Sequence, residues 1–235
     1  MSQPERVSTS ETSGYEPTPS PLPGGESHTL MKIFTITGNY STHNKDDEAT
    51  LFNNGKPAFY TKPDTSLLKN GKPFFVPDEL GRVSCQAELA VRVNRLGKSI
   101  PVRFAHRYYD AITVGVNFMA VDVLQRLQKD GLPWEEAVAF DGAAAIGEWV
   151  DKEKLPQVQD LRFDLAVNGR RTQEGCSSNM IHSVNEIVAH VSRYMTLRTG
   201  DIIFTGTPSP AIPVTINDHI EGRLQGMEVL RFNVK

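Results

Sequence analysis

Hydrophobic and polar residues alternate most cleanly over 86–93, where Ala87, Leu89, Val91 and Val93 fall on one side and Gln86, Glu88, Ala90 and Arg92 on the other. A period of two is that of a strand with one face turned to a core. The same rhythm places short strands at Lys32–Ile36 and over 112–117, where Gly115 and Asn117 oppose Val114 and Val116. It recurs through Leu161, Phe163, Leu165 and Val167, which lead into Asn168-Gly169, a dipeptide suited to a tight hairpin turn. Phe59–Pro63 and Pro73–Pro77 read as extended pieces, and Asp201–Thr205 and Val229–Val234 as late strands.

The period lengthens to that of a helix in two places. Val121, Val123, Leu124 and Leu127 form one stripe that ends near Gly131-Leu132-Pro133. The second helix is expected over 184–197, with Ser183 and Glu186 as a capping box and Val184, Ile187, Val188, Val191 and Met195 as its apolar face. Strands and helices mix without regular βαβ alternation, which favours a β-rich α+β fold over a doubly wound one.

Residues 1–30 break the pattern. They carry Pro4, Pro17, Pro19, Pro21 and Pro23 among Ser and Thr, with almost no aliphatic side chains. Such a segment cannot bury enough apolar surface to offset its ordering entropy, so it reads as a disordered tail, and folding is expected over 31–235. It lacks the apolar stretch of a secretory signal. Met31 is a candidate true start. A net charge of −3 gives no electrostatic case for nucleic acid or an anionic membrane. No apolar run approaches the roughly 20 residues of a membrane span. Cys85 and Cys176 lack metal-type spacing and read as reduced thiols of a cytoplasmic protein, with a single disulfide as the alternative.

Several blocks occur in one order: Met31–Tyr40, Phe59–Pro63, Gln86-Ala87-Glu88-Leu89, Gly131–Trp134, Asn168-Gly169 with Gln173, and Leu197–Pro208. That series resembles the fumarylacetoacetate hydrolase family, in its short single-domain members. The resemblance implies a β-roll or mixed β-sandwich with peripheral helices and a homodimer. It also implies a hydrolase or decarboxylase acting on a 2-keto or β-diketo acid through a divalent metal, Mg²⁺ or else Mn²⁺ or Ca²⁺. In that chemistry a cation holds the keto and carboxylate oxygens, and a His–carboxylate pair activates water.

Carried over residue by residue, the resemblance assigns His43 and Asp46 to the catalytic pair, with Asp46 where relatives carry glutamate. Lys62 and Thr207 are the substrate-binding candidates. The metal positions are Gln86, Glu88 and Asn117, where the family pattern has three carboxylates. One carboxylate and two amides leave a charge of only −1 against a dication, so the site is partly degenerate and holds metal weakly or not at all. The alternative for the two amides is a hydrogen bond between Gln86 and Asn117 that fills the former cavity. Met119, Val121, Leu124 and Val138 also stand where the family has polar side chains, the last of them a lysine. Two other functions follow from these losses: a catalytically inactive homodimer kept for binding, or a metal-independent enzyme in the same pocket.

Overall fold

The computed structural model describes residues 31–40, 55–68 and 71–235. Its strands are β1 (Ile33–Thr37), β2 (Ala58–Lys62), β3 (Leu67–Leu68), β4 (Val83–Val93), β5 (Tyr109–Ala120), β6 (Ala144–Ile146), β7 (Val150–Asp151), β8 (Arg162–Val167), β9 (Arg170–Cys176), β10 (Ile202–Phe204), β11 (Ile212–Pro213), β12 (His219–Leu224) and β13 (Met227–Asn233). The helices are α1 (Val102–Ala105), α2 (Val121–Asp130), α3 (Glu135–Val138) and α4 (Val184–Tyr194). The fold is β-rich α+β.

Two sheets make the body. The larger runs β2-β1-β10-β4-β5-β6-β3, with β11 beside β4 and β7 beside β5; the smaller runs β13-β12-β8-β9. β1 with β10 and β3 with β6 are parallel, and the other pairs are antiparallel. The alternating stretch seen in the sequence is β4 from Gln86 to its end, and β4 pairs with β5 along its whole length. Cys85, Ala87 and Leu89 of β4, with Val114, Val116 and Phe118 of β5, meet Phe163, Leu165, Ile220 and Phe232 of the smaller sheet. Farther along the same face, Phe34, Val91, Val93 and Ile203 pack under Val184, Ile187, Val188 and Val191 of α4. One face of the large sheet is thus buried twice, by a sheet and by a helix.

The Asn168-Gly169 turn joins β8 to β9 with both residues at positive φ, 52° and 75°. The capping box forms as expected, but α4 ends at Tyr194 rather than 197. Met195 is already extended, because Leu197 exchanges backbone hydrogen bonds with Gly97 and pulls the chain out of the helix. Residues 73–77 form a strap: Phe74 pairs with Asn233 and Lys235 at the end of the chain.

The large sheet curls. β2 and β5 are four places apart in strand order, yet Lys62 and Tyr60 of β2 hydrogen-bond to residues of β5. That closure builds the site.

Candidate functional site

The site lies on the face of the large sheet opposite the main core. Register puts Gln86 opposite Asn117 and Glu88 opposite Gly115, so these side chains share one face. β10 pairs with β4 only from Ala90 to Arg92, and β11 only at Ser84 and Cys85. Between them β4 has a gap, filled by the turn that starts at Thr205. Thr205 donates its N–H and its hydroxyl to the Leu89 carbonyl, each at 3.0 Å. Gly206, at φ 91°, then turns its N–H onto Glu88 Oε2 at 2.7 Å. A Cβ at Gly206 would lie 3.0 Å from the Cβ of Asn39, so glycine also lets the two segments approach.

Glu88 is buried, and each of its oxygens accepts a hydrogen bond. Asn117 Nδ2 donates to Oε1 at 2.9 Å, and Gly206 supplies the other. The second hydrogen of the Asn117 amide goes to the Tyr60 hydroxyl at 3.0 Å, while Tyr60 Oη lies 3.4 Å from Asn117 Oδ1. Burial pushes the Glu88 carboxyl up to about 7, against the lowering effect of Asn117, Gly206 and Lys62. Burial, then the charge of Glu88, raises the Tyr60 phenol. Tyr40 is raised by the same two causes, then by Cys176, against a smaller lowering effect of the Thr205 side chain beside its hydroxyl.

Lys62 is also buried, with its ammonium bonded to three backbone carbonyls, those of Phe118, Val138 and Ala143. Three hydrogens meet three acceptors, which leaves no donor free for a ligand. Burial lowers its pKa to about 7, partly offset by Glu88. Thr207 follows Gly206, half-buried, and its hydroxyl accepts from the Ser209 N–H at 3.3 Å. Gln173 is buried behind the site, where it accepts from Ala87 N at 2.7 Å and donates to the Pro210 carbonyl. It ties the strand of Glu88 to the loop of Thr207.

His43 and Asp46 lie outside the described residues. Of the remaining site residues, Gln86, Glu88, Asn117 and Lys62 come together around the curl. Asn117 turns its amide to Glu88 and Tyr60, and no hydrogen bond joins it to Gln86, so that pairing is corrected. Leu124 and Val138 join Leu127 and Ala137 in a small apolar cluster, against which Tyr60 and Met119 pack. Tyr60 and Tyr40 were missed by sequence reasoning. The available signal was that Tyr60 precedes Lys62 by two positions in an extended segment and so shares its face. Cys85 points into the core, and burial pushes its thiol up to about 12.

Among the described residues no group of three His, Cys, Asp or Glu is placed to hold a metal ion. The amides do not make up the deficit: Asn117 presents N–H, not a lone pair, to the one carboxylate. The residues described here therefore do not fit a resident divalent cation. An open cleft of about 690 Å³ lies elsewhere, lined by Leu67, Ile146, Trp149, Arg92 and Arg231. Its arginines are already paired, Arg92 with Asp110 and Arg231 with Glu228. No helix among the described residues is long and apolar enough to cross a membrane.

Comparison with known proteins gives a consistent picture. The family described as Fumarylacetoacetate (FAA) hydrolase C-terminal matches residues 32–235. The mitochondrial oxaloacetate tautomerase FAHD1 of Mus musculus is 35% identical over 203 residues, 86% of this chain and 91% of the relative. The oxaloacetate tautomerase YcgM of Escherichia coli is 27% identical, over 84% of this chain and 90% of its own length. Among solved structures, the fumarylpyruvate hydrolase of Pseudomonas aeruginosa in complex with Mn²⁺ and pyruvate superposes with a TM-score of 0.78 at 26% identity. That match covers 87% of this chain and 89% of the other.

Proposed function

Because this chain belongs to the fumarylacetoacetate hydrolase family, we propose that its Glu88 site acts on a small 2-keto or β-diketo acid. The observation that carries the reading is the buried Glu88–Asn117–Tyr60 constellation in the gap of the large sheet. Glu88 is a carboxyl whose proton affinity lies near neutrality, the condition for taking and returning a proton at physiological pH. In the keto–enol step Glu88 takes a proton from the carbon next to the keto group and returns it to the oxygen. Tyr60, whose hydroxyl accepts from Asn117 Nδ2 at 3.0 Å and donates only a long 3.4 Å bond to Asn117 Oδ1, is the donor assigned to turn onto that oxygen and orient it. Lys62 acts through its charge rather than by contact, and Thr207 beside Gly206 is assigned to the substrate carboxylate. For cleavage or decarboxylation, which the family also suggests, water activation is assigned to His43 with Asp46.

The relatives named as oxaloacetate tautomerases support a proton-transfer reading, which asks less of the site than carbon–carbon cleavage. The test is to follow the enol absorbance of oxaloacetate and of an acylpyruvate with the purified chain, with and without EDTA. Turnover that survives the chelator and falls on the order of 10²- to 10⁴-fold in Glu88→Gln supports it. No turnover of either compound, with or without Mn²⁺, sinks it.

A second reading has its own observation. Met119, Leu124 and Val138 pack together where the family has polar groups, and Lys62 has no free hydrogen. These favour loss of catalysis, the reading in which the chain is a catalytically inactive homodimer kept for a binding role. Binding by calorimetry without turnover would select it.

A further inference from the structure

A carboxylate at position 117 would face Glu88 at the separation where Asn117 now makes a 2.9 Å hydrogen bond. Two ionised carboxylates so close and so buried repel, and they persist only with a cation between them or a shared proton. Asparagine keeps the shape of aspartate and reverses the polarity of the group that meets Glu88. An N–H stands where a lone pair would be. The other Glu88 oxygen takes Gly206 N–H, and the other Asn117 hydrogen goes to Tyr60. Opposite Glu88 in the ladder is Gly115, whose missing side chain is replaced by the Phe204 ring, since a Cβ there would lie 2.4 Å from Phe204 Cε1. That side offers no further ligand.

We infer that Asn117 takes over the cation's part: this chain completes its site by hydrogen bonds and folds and binds without a divalent metal, and Asn117→Asp makes it cation-dependent. The inference goes beyond the keto-acid reading and is independent of it, since it is read by melting and metal binding rather than turnover.

The experiment melts the full chain in EDTA and in Mn²⁺, and titrates Mn²⁺ by calorimetry, for the parent and two variants. The parent is expected to melt at one temperature in both conditions and to give no saturable heat. Asn117→Asp is expected to lose on the order of 10 °C in EDTA, to recover most of it in Mn²⁺, and to bind the ion saturably. The exchanged pair Glu88→Gln with Asn117→Asp restores one donor facing one carboxylate and is expected to melt near the parent in EDTA. If Asn117→Asp fails to fold in the chelator while the exchanged pair folds, the inference stands. Saturable Mn²⁺ binding that raises the parent's melting temperature overturns it, as does an exchanged pair no more stable in EDTA than Asn117→Asp alone.

Discussion

Glu88 and Lys62 both carry an electrostatic cost of burial, and that of Glu88 has its pH signature between the carboxylate range and neutrality. Its carboxyl rises from 4.5 to about 7 on folding, chiefly through burial. Between those values the folded state binds more protons than the unfolded one, so this group's favourable contribution is complete below 4.5 and lost as pH rises through about 7. Glu88→Gln removes the titration while keeping an acceptor for Gly206 and a donor for Asn117 after the amide turns. Urea midpoints of the parent are therefore expected to fall from pH 4.5 to 7.5 relative to those of the variant. Curves that run parallel would mean that Glu88 is ionised and unstrained. At this scale the sequence was partly legible. Alternation alone put Gln86 and Glu88 on one face, and the register confirms it. It could not give Glu88 its partners, because Gly206 and Asn117 arrive from 118 and 29 residues away through tertiary contacts.

At the scale of elements, the β4–β5 ladder fixes the site, and two β5 residues fix the ladder. Phe118 stacks on Phe74 with ring centroids 4.0 Å apart and meets Phe232 edge-on at 6.0 Å, which anchors the residue next to Asn117. On the other face Gly115 leaves room for Phe204. Gly115→Ala would set a Cβ 2.4 Å from that ring, and the Ala145 carbonyl at 3.1 Å blocks the alternative direction. The expected loss is about 1–3 kcal/mol, the usual range for overpacking. Displacing Phe204 also shifts Thr205 and Gly206, so keto-acid affinity should fall along with the denaturation midpoint. Unchanged stability and affinity would show that the ring can move freely. The strands were legible here because both faces are patterned, though β4 and β5 run past the stretches where alternation is clean. The end of α4 was not legible, since its apolar stripe continues to Met195 while a backbone bridge from Leu197 to Gly97 ends the helix first.

Across the whole molecule, the site draws on both halves of the chain, and Asp201 holds them together. Its carboxylate is fully buried and accepts from Lys32 N at 2.9 Å and Arg198 N at 2.8 Å, with the Lys32 ammonium at 2.7 Å. It thereby aligns the start of β1 with the start of β10, the parallel pair whose far ends deliver Asn39, Tyr40, Thr205 and Gly206. Asn39 completes the junction by donating to the carbonyls of Thr205 and His182 and accepting from His182 N. The Leu197–Pro208 stretch, distinctive as sequence, therefore has a mechanical basis. Its aspartate sets the strand, and its Thr-Gly pair closes the gap beside Glu88. The curl that brings Tyr60 onto Asn117 had no local signal, because closure depends on how all the strands twist together. Asp201→Ala removes the acceptor of two part-buried backbone N–H groups and the partner of the Lys32 ammonium, a loss on the order of 1–3 kcal/mol in all. The melting temperature should drop by on the order of 10 °C, with Asp201→Asn intermediate because it keeps one acceptor. Hydrogen exchange should then rise together in β1 and β10, and binding of a keto acid should weaken although Asp201 is no part of the pocket. Exchange confined to the Arg198–Asp201 turn would show that the junction does not transmit to the site.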